Sequence, residues 1–259
     1  MVPRYPYRGW LFDLDGTVYL GERLIPGADA AIAAVRAAGR RVAFLSNKPL
    51  QTREEYAAKL TRLGVPASAD DVINSSVVLA RYLRDRDPGA PVFVIGEPPM
   101  RREMADHGFE VRPDERVRWV VIAFDRTFDY AKLNVALQAV KGGARLIATN
   151  PDRTCPVEGG EIPDCAGMIA AVEAVTDRKV ETIVGKPSPI ILEVALDALG
   201  VPAGEAAIVG DRIETDIVMG RRLGLGTVLV LSGVTRADDP RIAAVAPDHV
   251  LQSIRDLLE

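Results

Sequence analysis

Two carboxylates stand two residues apart in Leu11-Phe12-Asp13-Leu14-Asp15-Gly16-Thr17-Val18, where a short apolar run gives way to glycine. One acid of such a pair can attack an electrophile while the other handles protons. Taken alone the pair reads as a turn, because Asp and Gly are common turn formers. Three further segments change that balance. Phe44-Leu45-Ser46-Asn47 ends an apolar run in a hydroxyl and an amide, both able to hydrogen-bond oxyanions. Val184-Gly185-Lys186-Pro187 offers a cation in a proline-stiffened loop, and Ile208-Val209-Gly210-Asp211-Arg212-Ile213-Glu214-Thr215-Asp216 ends another apolar run in acids. Four such segments, each carrying a group useful for phosphate and metal chemistry, are hard to attribute to turns alone.

Strands and helices must alternate to bring these segments together. Trp10–Phe12 and Val42–Leu45 read as strands, with helical spacing in Pro26–Ala38 and Thr52–Leu63. Near the end, Ser188–Leu199 reads as a helix, Ala206–Val209 as a strand, Asp216–Leu223 as a helix and Thr227–Leu231 as a strand. In between, Pro91–Ile95, Trp119–Ala123 and Arg145–Ala148 are expected strands, and Pro99–His107, Tyr130–Val140 and Ala166–Val175 expected helices. Such alternation implies an α/β fold, a doubly wound parallel sheet covered on both faces. Ligands of such sheets bind beyond the carboxyl ends of the strands, where the four segments fall. The middle forms a unit of its own, so residues 80–183 are expected as a second α/β domain inserted into a Rossmann-like core of 1–79 and 184–259.

Composition narrows the class. The chain has 259 residues, 32 Lys plus Arg against 36 Asp plus Glu, and 48% apolar residues, the balance of a globular protein with a buried core. No apolar run exceeds six residues, so neither a membrane span nor a secretory leader is expected. The first nine residues, with Pro3, Arg4, Pro6 and Arg8, are too short and broken for a targeting peptide. A net charge of −4 without a Lys/Arg block argues against nucleic acid as partner. Cys155 and Cys165 are the only cysteines, which excludes a disulfide scaffold and suits a reducing cytoplasm. Both are expected in loops.

The order Asp-x-Asp-Gly-Thr, Ser-Asn, Gly-Lys-Pro, Gly-Asp-x-x-x-x-Asp resembles the four motifs of the haloacid dehalogenase superfamily in its aspartate-dependent phosphatase form. Ala148-Thr149-Asn150-Pro151-Asp152 with Gly185-Lys186-Pro187-Ser188-Pro189 looks like its p-nitrophenylphosphatase or NagD-like branch, which carries a large α/β cap between the second and third motifs. Two positions depart from that branch: Pro163-Asp164-Cys165-Ala166-Gly167 stands where Pro-Gly-x-Gly is common, and Lys48 where a small polar residue is common. Both bear on substrate choice, not on the core chemistry.

The resemblance implies a phosphatase for small phosphomonoesters such as sugar phosphates or nucleotides. Asp13 would be the nucleophile and form an aspartyl-phosphate, and Asp15 the acid that protonates the leaving oxygen and then deprotonates water. Mg²⁺ is the expected cofactor, held by the Asp13 side chain, the Asp15 main-chain carbonyl and Asp211, with Asp216 either a ligand or a group orienting water and Lys186. Ser46, Asn47, Lys186 and the N–H groups around Gly16 would bind phosphate. Asn150, Asp152, Arg153 and Thr154 would form the cap loop that reads the substrate, and pairing of caps into a homodimer is the implied assembly.

Other readings are weaker. Gly185-Lys186-Pro187 is no Walker loop, since Val180 stands where the first glycine belongs. Gly220, Gly224 and Gly226 lack dinucleotide spacing, and His107 and His249 have no nucleophile beside them. The stripe of Ile32 and Val35 is core packing. A phosphomutase would use the same aspartyl-phosphate, and a phosphometabolite-binding regulator the same fold without turnover. A regulator would have lost an acid or the lysine, and a dehalogenase would leave Asp15 without an acid's task.

Overall fold

The computed structural model describes residues 4–157 and 159–258; the remaining ends of the expected core unit and Glu158 of the expected inserted unit lie outside the described residues, as does Pro3. The chain enters β1 (Gly9–Asp13), makes a small hairpin of β2 (Tyr19–Leu20) and β3 (Arg23–Leu24), and continues through α1 (Ala28–Ala37), β4 (Arg41–Ser46), α2 (Arg53–Arg62), β5 (Val72–Asn74) and α3 (Ser75–Arg84). Next come β6 (Pro91–Ile95), α4 (Pro98–Asp106), β7 (Glu110–Val111), β8 (Trp119–Ile122), α5 (Tyr130–Lys141) and β9 (Arg145–Ala148). A hairpin of β10 (Thr154–Val157) and β11 (Gly160–Pro163) leads to α6 (Cys165–Thr176) and β12 (Thr182–Ile183). The chain closes with α7 (Pro189–Leu199), β13 (Ala206–Gly210), α8 (Val218–Leu223), β14 (Gly226–Val230), α9 (Arg241–Val245) and β15 (His249–Leu251).

Two parallel sheets result. The first runs β15-β14-β13-β1-β4-β5, drawn from both ends of the chain, and the second β12-β9-β8-β6-β7, drawn from the middle. Strands buried on both faces read as unbroken apolar runs, and every residue of β1 is buried. Alternation sends its side chains to opposite faces. Trp10 and Phe12 join Phe44, Val209 and Val228, covered by Ile32 and Val35 of α1 and Leu60 of α2. Leu11 joins Leu45, Ile208 and, from α7, Ile191 and Leu192. That second cluster runs without interruption into Val92, Val121 and Ile147 of the other sheet, so apolar burial welds the two layers.

Helix boundaries follow local chemistry. Thr52 caps α2 by accepting from Glu55 N, and the Glu55 carboxylate accepts from Thr52 N, a reciprocal capping box. Asn74 caps α3, and Ser188 with Pro189 opens α7. Besides adding short elements that spacing does not reveal, the structure differs from the expected elements in three places. The run Ser75-Ser76-Val77-Val78-Leu79-Ala80 has no clear helical spacing, yet it forms α3, buried on nearly every side between α4 and α7. The 79/80 junction therefore falls inside a continuous helix. The expected helix at Asp216–Leu223 opens earlier, as a π-helical turn over Ile213–Ile217 that runs into α8. Cys155 and Cys165 lie in β10 and at the start of α6 rather than in loops, and both thiols are free and buried. No helix among the described residues is long and apolar enough to cross a membrane.

Candidate active site

β1 and β13 are neighbours, and the chain leaving β1 goes on to β4 while the chain leaving β13 goes on to β14, in opposite directions across the sheet. A crevice opens at such a switch point because the flanking loops diverge. Asp13 closes β1, Ser46 closes β4, Asp211 follows β13, and Asp216 sits in the π-helical turn. Lys186 arrives in the turn between β12 and α7. All five side chains line one cavity of about 50 Å³.

Lys186 is the electrostatic centre. Its Nζ donates to Asp13 Oδ1 at 2.5 Å and to Asp216 Oδ1 at 2.6 Å, and the residue is only 2% exposed. Burial works against the ammonium, but the Asp13 and Asp216 carboxylates outweigh it and hold its pKa above the ordinary lysine value. Asp13 lies well above the usual carboxylate range, raised first by burial and then by Asp216 and Asp211, with Lys186 opposing them. Burial and the Asp216 charge push Asp211 up to about 7, although Val234 N donates to it at 2.6 Å.

One buried cation therefore faces three buried carboxylates. Oxygens of Asp13, Asp211 and Asp216 lie within 4.8 Å of one another, so the group could hold a metal ion. An all-oxygen donor set suits a hard divalent cation, and the excess of negative charge gives it a reason to bind.

Gly16 is needed for close approach. Its φ of +88° lies in the left-handed region, and a Cβ there would come within 2.5 Å of Asp211 Oδ2. Its own N–H, one of the group around Gly16 expected to bind phosphate, donates to Tyr19 O at 2.8 Å. The glycine's place in the site is thus steric: it lets the Asp13–Asp15 turn press against Asp211.

Asn47 is likewise committed. Its Oδ1 accepts from Lys186 N at 2.8 Å, and its Nδ2 donates to Lys186 O at 3.1 Å and to Asp152 Oδ2 at 2.8 Å. The amide splints the lysine turn to β4 and reaches into the loop after β9. Gly185 completes the junction by donating to Thr149 O at 2.7 Å, and a Cβ on it would meet that oxygen at 2.4 Å.

The four expected substrate-reading residues separate. Asp152 and Thr154 line the cavity. Asn150 is buried behind it, where its Nδ2 donates to Asp152 at 2.9 Å and to Asp164 at 3.1 Å. Arg153 lies outside, on a larger crevice of about 530 Å³ that it shares with Glu161 and Glu214. Arg212 stands between the two spaces, donating to Thr154 O at 3.3 Å and 3.8 Å from Asp152 Oδ1.

Asp15 meets a cation of its own. Lys48 Nζ lies 2.8 Å from Asp15 Oδ1, and both side chains are largely buried. Burial disfavours the Lys48 ammonium, but Asp15 and the Cys155 thiol outweigh it and raise its pKa. Lys48, Cys155 and Asp164 all line the cavity, yet none was assigned a task from sequence. The available signal was the departure of Lys48 and Asp164 from the branch pattern.

Comparison with known proteins agrees with this arrangement. A family model described as haloacid dehalogenase-like hydrolase matches residues 10–110, and a second, HAD-hydrolase-like, matches residues 183–257. The chain is 41% identical over 250 residues to the sugar-phosphatase AraL of Bacillus subtilis, covering 96% of this chain and 91% of that one. It is 35% identical over 253 residues to the acid sugar phosphatase of Staphylococcus aureus, covering 98% and 96%. Among solved structures, the p-nitrophenyl phosphatase from Archaeoglobus fulgidus superposes with a TM-score of 0.91 at 32% identity, covering 98% of each chain. The chain belongs to the haloacid dehalogenase-like hydrolases, as a capped α/β phosphoric monoester hydrolase of the p-nitrophenylphosphatase and NagD-like branch.

Proposed function

We propose that this chain is a Mg²⁺-dependent phosphatase that hydrolyses small-molecule phosphomonoesters through an aspartyl-phosphate at Asp13, with residues 80–183 as the cap. The observation that carries the reading is the buried Lys186 bridging Asp13 and Asp216 at the switch point, with Asp15 two residues further on. A phosphate dianion repels nucleophiles, so catalysis must neutralise charge, align an oxygen with the leaving group and deliver a proton.

Asp13 Oδ attacks phosphorus as the bond to the leaving oxygen breaks. Asp15 gives that oxygen a proton, then takes one from the water that attacks the aspartyl-phosphate, and orthophosphate departs. Lys186 opposes the burial that favours protonation of Asp13 before attack and would meet the phosphoryl oxygens afterwards. The Ser46 hydroxyl offers them a further donor. Asp13, the Asp15 main-chain carbonyl and Asp211 would hold Mg²⁺, which supplies positive charge against the phosphate. Asp216 already receives Lys186 on Oδ1 and faces Arg212 N at 3.3 Å on Oδ2, which supports a role in orienting the lysine. Asn47 acts by fixing the lysine turn. The sugar-phosphatase names of two relatives support sugar phosphates as the substrate class.

Hydrolysis of a phosphate ester made chiral at phosphorus tests the intermediate, because two successive in-line displacements retain the configuration whereas direct attack by water inverts it. Inversion would sink the covalent mechanism. Assays with Mg²⁺ and with chelator test the metal, and equal rates in both would exclude its role.

A further inference from the structure

Part of the cavity wall is left unexplained by the phosphate chemistry. Lys48, Thr154, Cys155, Pro156 and Asp164 line the cavity together with Asp15, which Lys48 contacts. Since Asp15 faces the leaving oxygen in the proposed mechanism, this part of the wall receives the alcohol portion of the substrate. No aromatic side chain lines it among the described residues, so nothing there stacks on a nucleobase or pyridine ring.

Asp164 is 2% exposed, and both of its hydrogen bonds fall on one oxygen. Oδ1 accepts from Cys165 N, capping α6, and from Asn150 Nδ2 at 3.1 Å. Oδ2 accepts no hydrogen bond from any described residue. A neutral Ser, Thr or Asn caps a helix as well without the cost of burying a charge. The carboxylate is therefore surplus to helix capping, and its open oxygen belongs to a residue that lines the cavity. Lys48 lines the same cavity, and its charge draws the Asp164 carboxyl down against burial. Its ammonium has three donors and meets Asp15 at 2.8 Å, which leaves donors for a ligand. A donor-rich cation and an open carboxylate oxygen thus flank the position next to the ester.

We propose that Lys48 and Asp164 read the alcohol: Lys48 donates to one hydroxyl and Asp164 Oδ2 accepts from another, selecting phosphomonoesters of small polyhydroxylated alcohols. The proposal rests on the phosphatase reading above. A site built to hydrogen-bond a hydroxyl rejects the analogue that lacks it, because its buried polar groups are left unpaired.

The test compares kcat/KM for glycerol 3-phosphate and propyl phosphate, which differ only in hydroxyls, in wild type, Asp164→Asn and Lys48→Met. The ratio of the two esters cancels any effect of Lys48 on Asp15 that both substrates share. Asp164→Asn keeps an oxygen for the α6 cap and places an amide donor where Oδ2 was, and thermal unfolding checks that it folds. Wild type is expected to favour the hydroxylated ester about tenfold or more, and each variant to bring the ratio to within about threefold of one. A wild-type ratio near one, or a ratio unchanged in both variants, overturns the proposal. A change in Lys48→Met alone overturns the part assigned to Asp164. Wild type that hydrolyses neither ester nor p-nitrophenyl phosphate, with Mg²⁺ present, overturns the phosphatase reading itself.

Discussion

The Asn47 amide reaches Asp152 of the loop after β9 at 2.8 Å while the same side chain grips both the N–H and the C=O of Lys186. The position of that loop and the position of the lysine are therefore joined through one residue. Arg212 approaches the other oxygen of Asp152 from the core, so the loop is held from two sides.

Removing the Asp152 carboxylate should loosen the cap before it harms the chemistry. Asp152→Ala is expected to raise KM for a sugar phosphate about tenfold with a smaller fall in kcat, and to cost about 1–3 kcal/mol of stability through the donors left unpaired. Steady-state kinetics separate the two constants. A fall in kcat with KM unchanged would show that Asp152 acts on the reaction step instead.

Asp13 carries the nucleophilic oxygen, and its conservative replacement keeps the volume. Asp13→Asn should lower kcat by about a thousandfold or more, since no covalent intermediate forms. Folding should persist, because the substitution removes one of three crowded buried carboxylates. A variant that unfolds would assign Asp13 to structure.

Lys186 is the counter-charge for that cluster. Lys186→Met leaves Asp13 and Asp216 buried without their cation, and urea unfolding should show a loss of about 3–5 kcal/mol. Adding Asp216→Asn should recover part of the loss, because removing both members of a buried pair is closer to neutral than removing one. Two losses that simply add would mean the pair is not coupled.

Asp164 predicts a pH dependence of stability. Burial raises its carboxyl to about 6 in the folded protein, above the ordinary value near 4 that it regains on unfolding. Between these values the folded state binds the extra proton, so stability falls as pH rises from about 4 to about 6 and is level beyond. Two units correspond to about 3 kcal/mol, and Asp164→Asn should lack this component. The wild-type minus variant difference in urea unfolding free energy, measured from pH 4 to pH 7, checks both sign and window. A difference independent of pH would place Asp164 outside the titrating groups.

Much of the framework was legible because local rules act locally. The apolar runs at Pro91–Ile95 and Arg145–Ala148 form strands with those bounds, and Thr52 and Ser188 cap helices where their side chains can reach the next turn. α3 escaped because its first six residues are all buried, so that its polar face shows only at Arg81 and Arg84 near its end. β5, β7 and β12 have two or three residues each, too few for a period of two to show. The π-helical turn at Ile213–Ile217 depends on backbone hydrogen bonds that no spacing of side chains encodes.

The linear chain was enough to specify which acids, amides and lysine exist and that strands deliver them to one edge of a parallel sheet. Only the tertiary fold decided their duties. It turned the Gly16 N–H toward Tyr19, committed Asn47 to Lys186 and Asp152, and set Lys48 beside Asp15 with Asp164 lining the same cavity. Residue type records what a group can donate or accept; its partner depends on distance, and Asn47 meets Lys186, 139 positions further along the chain, only because β1, β4 and the turn after β12 converge.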